Sequence, residues 1–441
     1  MRLLCTVFAL VILHMPNAWA ESQKWVTSWI ASVQGPYPTG NPSAQPNMSA
    51  VFPTPAQGAN NQSFRMMVKP ELWSNQTRLR LSNALGTQPV TFSEVYVGLQ
   101  LGSAELVAGT NRAATFKGKK SVTVPAGESV WSDPVELAFV NKSTQKFLEG
   151  KKLAVSFYIP DSSGPMTWHA KALTTSYLTP PQAGAQSRNE SESAFSFSTA
   201  SWFFLDALDM KADADTKVVV AFGDSITDGT ASTMNGDDRW PDVLARRLKH
   251  QYGNKVIVLN AGIGGNQIAG PAEYSADKPF PGGPSSSMRL ERDVLSLSGV
   301  NTLIWLEGIN DFSKNGMATP EKVIAQLTEG VKRLNNAGIR VLGATVGSAL
   351  GSTSAAHGFP AQDEKRKTLN NFIRSSDIFA GVIDFDAVTL DPATGQMRPE
   401  FVPDSTVGGA GDKLHPNRVG YHAMGNVIDL DLVAGKRQVK P

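Results

Sequence analysis

Beyond residue 216 the chain carries five short apolar runs, at 218–222, 256–259, 302–306, 340–346 and 382–385. Stretches suited to helices separate them: Trp240 to His250, a segment within Met288 to Ser296, Pro320 to Asn336, and Asp363 to Ser375. A last helix is expected from about Pro416 to Leu432. Pro320 fits a first helical turn, with Thr319 as its cap and Glu321 near the positive end of the dipole. Strand–helix alternation of this kind predicts a parallel sheet covered on both faces, because parallel neighbours need a crossover between them. Ligands of such sheets bind at the carboxyl ends of the strands.

The first half has a different texture. Thr77-Arg78-Leu79-Arg80-Leu81-Ser82 alternates polar and apolar residues, as a half-exposed strand should. Val90 to Val97, Ser121 to Val124 and Leu153 to Ile159 are β-branched or aromatic runs bounded by Gly, Pro, Asn and Ser. No sustained helical period occurs there, which predicts an antiparallel β-sandwich of jelly-roll type over 21–210. The α/β domain then occupies 211–441, with Asp206 to Thr216 read as a charged, alanine-rich connector. Two polar segments, Pro36 to Gln62 and Thr179 to Ser193, are expected to be solvated surface loops. The competing option is a loop reaching over a neighbouring active site.

The N-terminus has the pattern of an export signal. Arg2 is followed by an apolar core from Leu3 to Leu13 and an Ala18-Trp19-Ala20 cleavage site, so residues 1–20 are expected to be removed. That core is too short for a membrane span, and no later segment is long and apolar enough for one. Localisation is therefore expected to be periplasmic or extracellular, without stable membrane insertion. The single cysteine, Cys5, lies in the leader. The mature chain of 421 residues (441 − 20) then has no thiol for nucleophilic chemistry or metal ligation. A net charge of +2 without a long basic stretch argues against nucleic acid as a partner.

Four segments carry candidate chemistry. Gly223-Asp224-Ser225-Ile226-Thr227-Asp228-Gly229 delivers a serine where the first apolar run stops. Gly411-Asp412-Lys413-Leu414-His415-Pro416 supplies an acid and a histidine three residues apart, a spacing that puts both side chains on one side of a tight turn. A serine hydroxyl needs a base within hydrogen-bond reach. His415 is the best candidate, with Asp412 holding its useful tautomer. A tetrahedral intermediate needs donors aimed at its oxyanion. The candidates are the Ser225 N–H, the Gly265 N–H in Asn260-Ala261-Gly262-Ile263-Gly264-Gly265-Asn266, and the Asn310 amide in Glu307-Gly308-Ile309-Asn310-Asp311. Asp224 and Asp311 read as caps of backbone N–H groups. Of the other histidines only His357 is retained, as a substrate contact; His169 sits far in sequence from every motif. No dinucleotide fingerprint, phosphate loop, G-x-S-x-G elbow or HExxH pair is present, which points to a serine hydrolase with neither cofactor nor metal.

Together the four segments resemble the motif blocks of the SGNH (GDSL-type) hydrolases, over roughly residues 215–434. The resemblance implies a flavodoxin-like three-layer α/β/α domain with strand order 2-1-3-4-5. It implies Ser225 as nucleophile, Gly265 and Asn310 as oxyanion donors, and Asp412 with His415 as the remainder of the triad. Arg239-Trp240-Pro241-Asp242 and Asp384-Phe385-Asp386 are similar to an exported bacterial branch with a β-rich N-terminal domain. Gly264 departs from the family pattern, which usually has serine there.

The expected activity is that of a serine esterase working through an acyl-serine intermediate. The proline- and glycine-rich insertion Asn266 to Ser287 contains few bulky apolar residues, which favours short acyl groups, acetyl esters on glycans among them. A lipase or lysophospholipase and an acyltransferase to a sugar hydroxyl remain alternatives with the same triad. An inert carbohydrate-binding protein is the remote one. Oligomeric state is not legible in the sequence.

Overall fold

The computed structural model describes residues 23–437, so the expected leader, 1–20, lies outside the described residues. The alternating half forms β1 (Lys217–Gly223), β2 (Val256–Gly262), β3 (Val300–Leu306), β4 (Arg340–Ala344) and β5 (Gly381–Ile383). Every neighbouring pair is parallel and the order is β2-β1-β3-β4-β5, the 2-1-3-4-5 order implied above. Successive side chains of a strand point to opposite faces, and β1 feeds two cores. Val219 and Ala221 pack with Trp240, Leu244 and Leu248 of helix Trp240–Tyr252 and with Tyr421 and Met424 of helix Arg418–Val427. Val218, Val220 and Phe222 share the other core with Val323, Leu327 and Val331 of helix Pro320–Asn336 and Leu369 of helix Pro360–Ser375. Three layers result, as predicted.

Local chemistry sets the helix ends. Thr319 caps Pro320–Asn336 by accepting from the Lys322 N–H. The expected last helix is two, Arg418–Val427 and Leu430–Val433. Asp429 breaks it, because its carboxylate accepts from the N–H groups of Asp431 and Leu432 and starts a new helix. Among the described residues no helix is long and apolar enough to cross a membrane.

Among the described residues the first half contains two larger antiparallel sheets and a two-stranded one, Trp168–His169 with Trp202–Phe203. One larger sheet runs in the order Gln23–Ile30, Leu205–Asp213, Gln76–Ser82, Ser129–Trp131. The other runs Phe197–Thr199, Ser176–Leu178, Gln62–Val68, Leu153–Ile159, Val90–Gly102. Leu79, Leu81 and Leu208 of the first share one core with Phe64, Phe92 and Phe157 of the second.

Two expectations change here. Most of the supposed connector, Asp206 to Thr216, is the strand Leu205–Asp213 in the middle of the first sheet. Its acids misled because they are paired: Asp206 accepts from Arg80 Nε at 2.6 Å and Asp209 from Arg78. Nor is Gln76–Ser82 half-exposed, since Arg80 is only 5% accessible. Its polar face packs on the α/β half, where Arg80 donates to Ser296 Oγ and Arg78 to Ser298 Oγ. Backbone joins the contact, as the Thr27 N–H donates to the Ser298 carbonyl at 2.9 Å.

Candidate active site

Ser225 stands where β1 ends and the short helix Ser225–Asp228 begins. The turn is tight enough that a Cβ on Gly223 would come within 2.2 Å of the Leu306 carbonyl. Asp224 caps the helix by accepting from the Ile226 N–H at 2.9 Å. Across the cleft, Asp412 Oδ1 accepts from the N–H groups of Leu414 and His415, both at 2.9 Å, and Lys413 takes a left-handed φ of +58°. That turn aims Asp412 Oδ2 at His415 Nδ1, 2.6 Å away. His415 Nε2 lies 2.8 Å from Ser225 Oγ. Burial disfavours the Asp412 charge, but the hydrogen bonds and charge of His415 outweigh it and hold this carboxyl well below the usual carboxylate range. An ionised Asp412 accepts from Nδ1–H, so Nε2 presents its lone pair to the serine hydroxyl. The three residues singled out in the sequence therefore meet.

Gly265 and Asn310 reach the same cleft, which has a volume of about 410 Å³. The Asn266 N–H donates to the Ile263 carbonyl and closes a four-residue turn with Gly265 at its third position, φ +86°. Type II turns require that conformation. Asn310 Nδ2 donates one hydrogen to the Asn266 carbonyl at 3.0 Å. Asp311 accepts from the N–H groups of Ile268 and Ala269 and so fixes the loop after the turn. Burial pushes the Asp224 carboxyl up to about 8 and that of Asp311 up to about 7, against the backbone N–H groups each one accepts from.

Several residues around the site escaped the sequence reading. Arg289, fully buried, donates to the carbonyls of Gly223 and Ala261, each at 2.8 Å, and to Asn266 Oδ1 at 2.7 Å. It thereby ties the ends of β1 and β2 together. Its only sequence signal is Asp293, one helical turn on, which it also contacts at 3.1 Å. The β-rich half contributes too. The segment 36–62 does more than cover surface: Gly40 to Ser43 line the cleft, and Asn41 Nδ2 donates to the Gly264 carbonyl at 2.7 Å.

His169 is no bystander. Its Nδ1 faces the Ser32 carbonyl at 2.7 Å and its Nε2 faces Asp228 Oδ1 at 3.2 Å. Burial opposes protonation, but Asp228 and these acceptors raise its pKa. Asp228 Oδ2 in turn accepts from the Gly264 N–H at 3.0 Å. Lys171 also lines the cleft and donates to Thr230 Oγ1. A Cβ on Gly264 would lie 2.8 Å from its ammonium, so a glycine leaves the lysine its place. His357 lines the cleft as expected. Burial, then repulsion from His415, lowers its pKa to about 4.

Residues 221–423 match the model of the GDSL-like lipase/acylhydrolase family. No curated protein matches the chain. Among solved structures, a carbohydrate acetylesterase from Sinorhizobium meliloti is 18% identical, with 50% of this chain and 100% of that one covered and a TM-score of 0.38. A lipase/acylhydrolase from Enterococcus faecalis is 22% identical, covering 51% of this chain and 100% of its own, at a TM-score of 0.37. An aryl esterase from M. smegmatis is 17% identical over 48% of this chain and 95% of its own, at a TM-score of 0.36. The matched segment runs from the end of β1 through β5 and holds Ser225, Gly265, Asn310, Asp412 and His415: residues 221–423 are a GDSL-like lipase/acylhydrolase domain.

Proposed function

We propose that the protein is a serine ester hydrolase acting on short acyl esters of polar alcohols, glycan acetyl esters among them. The unbroken relay from Ser225 Oγ through His415 to Asp412 is the observation that carries this reading. Ser225 Oγ attacks the ester carbonyl carbon while its proton passes to His415 Nε2. Asp412 remains ionised and steadies the imidazolium. The carbonyl oxygen, now negative, takes hydrogen bonds from the Ser225 and Gly265 N–H groups and from the second Asn310 amide hydrogen. Collapse of the intermediate breaks the bond to the alcohol, which leaves with the proton from Nε2. Water, deprotonated by His415, then attacks the acyl-serine, releases the acid and restores the hydroxyl.

The cleft lining supports a small acyl group and a polar alcohol. Asn41, Ser43, Lys171, Thr230, Asn315 and Ser354 offer hydroxyls, amides and an ammonium where a long acyl chain needs an apolar channel. The export-leader pattern of residues 1–20 supports a periplasmic or extracellular location for this activity. Nitrophenyl acetate, butyrate and decanoate test the reading. The acetate is expected to have the highest kcat/KM, about 10-fold or more above the decanoate. Preference for the decanoate would reverse the chain-length assignment, and turnover of none of the three would remove the ester-hydrolase reading.

A further inference from the structure

The peptide between Gly264 and Gly265 is gripped from the other half of the molecule. In a trans peptide the C=O and N–H point in opposite directions, so whatever fixes the Gly264 oxygen also aims the Gly265 N–H. Asn41 does this through its 2.7 Å bond to the Gly264 carbonyl. The need for a grip follows from the turn. Type I and type II turns differ mainly by a flip of their central peptide, and a glycine at the third position tolerates both. In the turn Ile263 to Asn266 that central peptide is the one between Gly264 and Gly265. Asp228, itself held by His169, anchors the Gly264 N–H, but this bond lies one peptide earlier and leaves the flip free.

We infer that Asn41, supplied by the β-rich half, is a positioning residue for the oxyanion hole that sets the aim of the Gly265 N–H. The inference rests on the ester-hydrolase reading above and extends it: the two halves of the chain form one catalytic unit. Asn41 is exposed, so its replacement leaves the packed core untouched. Asn41→Ala removes the donor, and Asn41→Asp keeps the shape but can only accept.

In the full chain both variants are expected to lower kcat on nitrophenyl acetate by about 10- to 100-fold, with KM within about threefold of wild type. Affinity for a boronic acid that forms a tetrahedral adduct on Ser225 should fall by the same factor as kcat/KM. Scaffolding alone would not produce that parallel. A kcat within about twofold of wild type, a rise in KM alone, or an undiminished boronate affinity would overturn the inference. Turnover that depends on Ser225 yet ignores Asn41 would sink this inference and leave the esterase reading standing. Absence of all ester turnover in the wild type would remove both.

Discussion

Ser225→Ala is expected to lower kcat on the order of 10³-fold or more while leaving the melting temperature close to wild type. The two expectations have separate causes. Oγ is the atom that would form the covalent bond, and without it His415 has no proton to move. For the fold, the side chain contributes one hydrogen bond, to His415 at 2.8 Å, and such a bond is worth about 1 kcal/mol net. The local backbone does not depend on it, since Asp224 caps the helix through Ile226. Nitrophenyl acetate turnover and a thermal melt read the two effects independently. Turnover by the variant within about tenfold of wild type would exclude Ser225 as nucleophile.

Arg289→Met should act in the opposite sense, on stability before chemistry. Methionine roughly fills the volume of the arginine stem, so the change is chiefly a loss of charge and donors. Three acceptors, the Gly223 and Ala261 carbonyls and Asn266 Oδ1, lose a buried partner at once. Asp293, also buried, keeps only Arg292 of its two arginines. Breaking a buried charge pair from one side typically costs about 3–5 kcal/mol. Urea unfolding should therefore show a midpoint shift of that size at unchanged slope. A loss below about 1 kcal/mol would mean that water or neighbouring groups replace the guanidinium.

The parallel sheet was legible because its signal is local: apolar runs, Pro320 and Thr319, and glycines at strand ends. The pairing of Asp412 with His415 is local too, whereas the approach of His415 to Ser225, 190 residues away, was legible only through the four motif blocks and the family they resemble. What the sequence hid depends on contacts distant along the chain. Asn41 looks like any loop asparagine, and its value comes from a carbonyl 223 residues away. His169 and Asp228 are 59 residues apart, and neither declares the other. Arg289 reads as an ordinary helical surface arginine until β1 and β2 close over it. The strand Leu205–Asp213 was mistaken for a connector because Asp206 and Asp209 suggest solvent, whereas Arg80 and Arg78 neutralise them at the contact between the halves.

That Ser225 becomes covalently acylated during turnover is the claim from which the rest follows. A fluorophosphonate, which phosphonylates activated serines with loss of fluoride, reports on it directly when peptide mass mapping is paired with residual esterase activity. A single adduct on the peptide containing Ser225 is expected, with activity lost in proportion to labelling. Full ester turnover by completely labelled protein, or an adduct on a different residue, would contradict it.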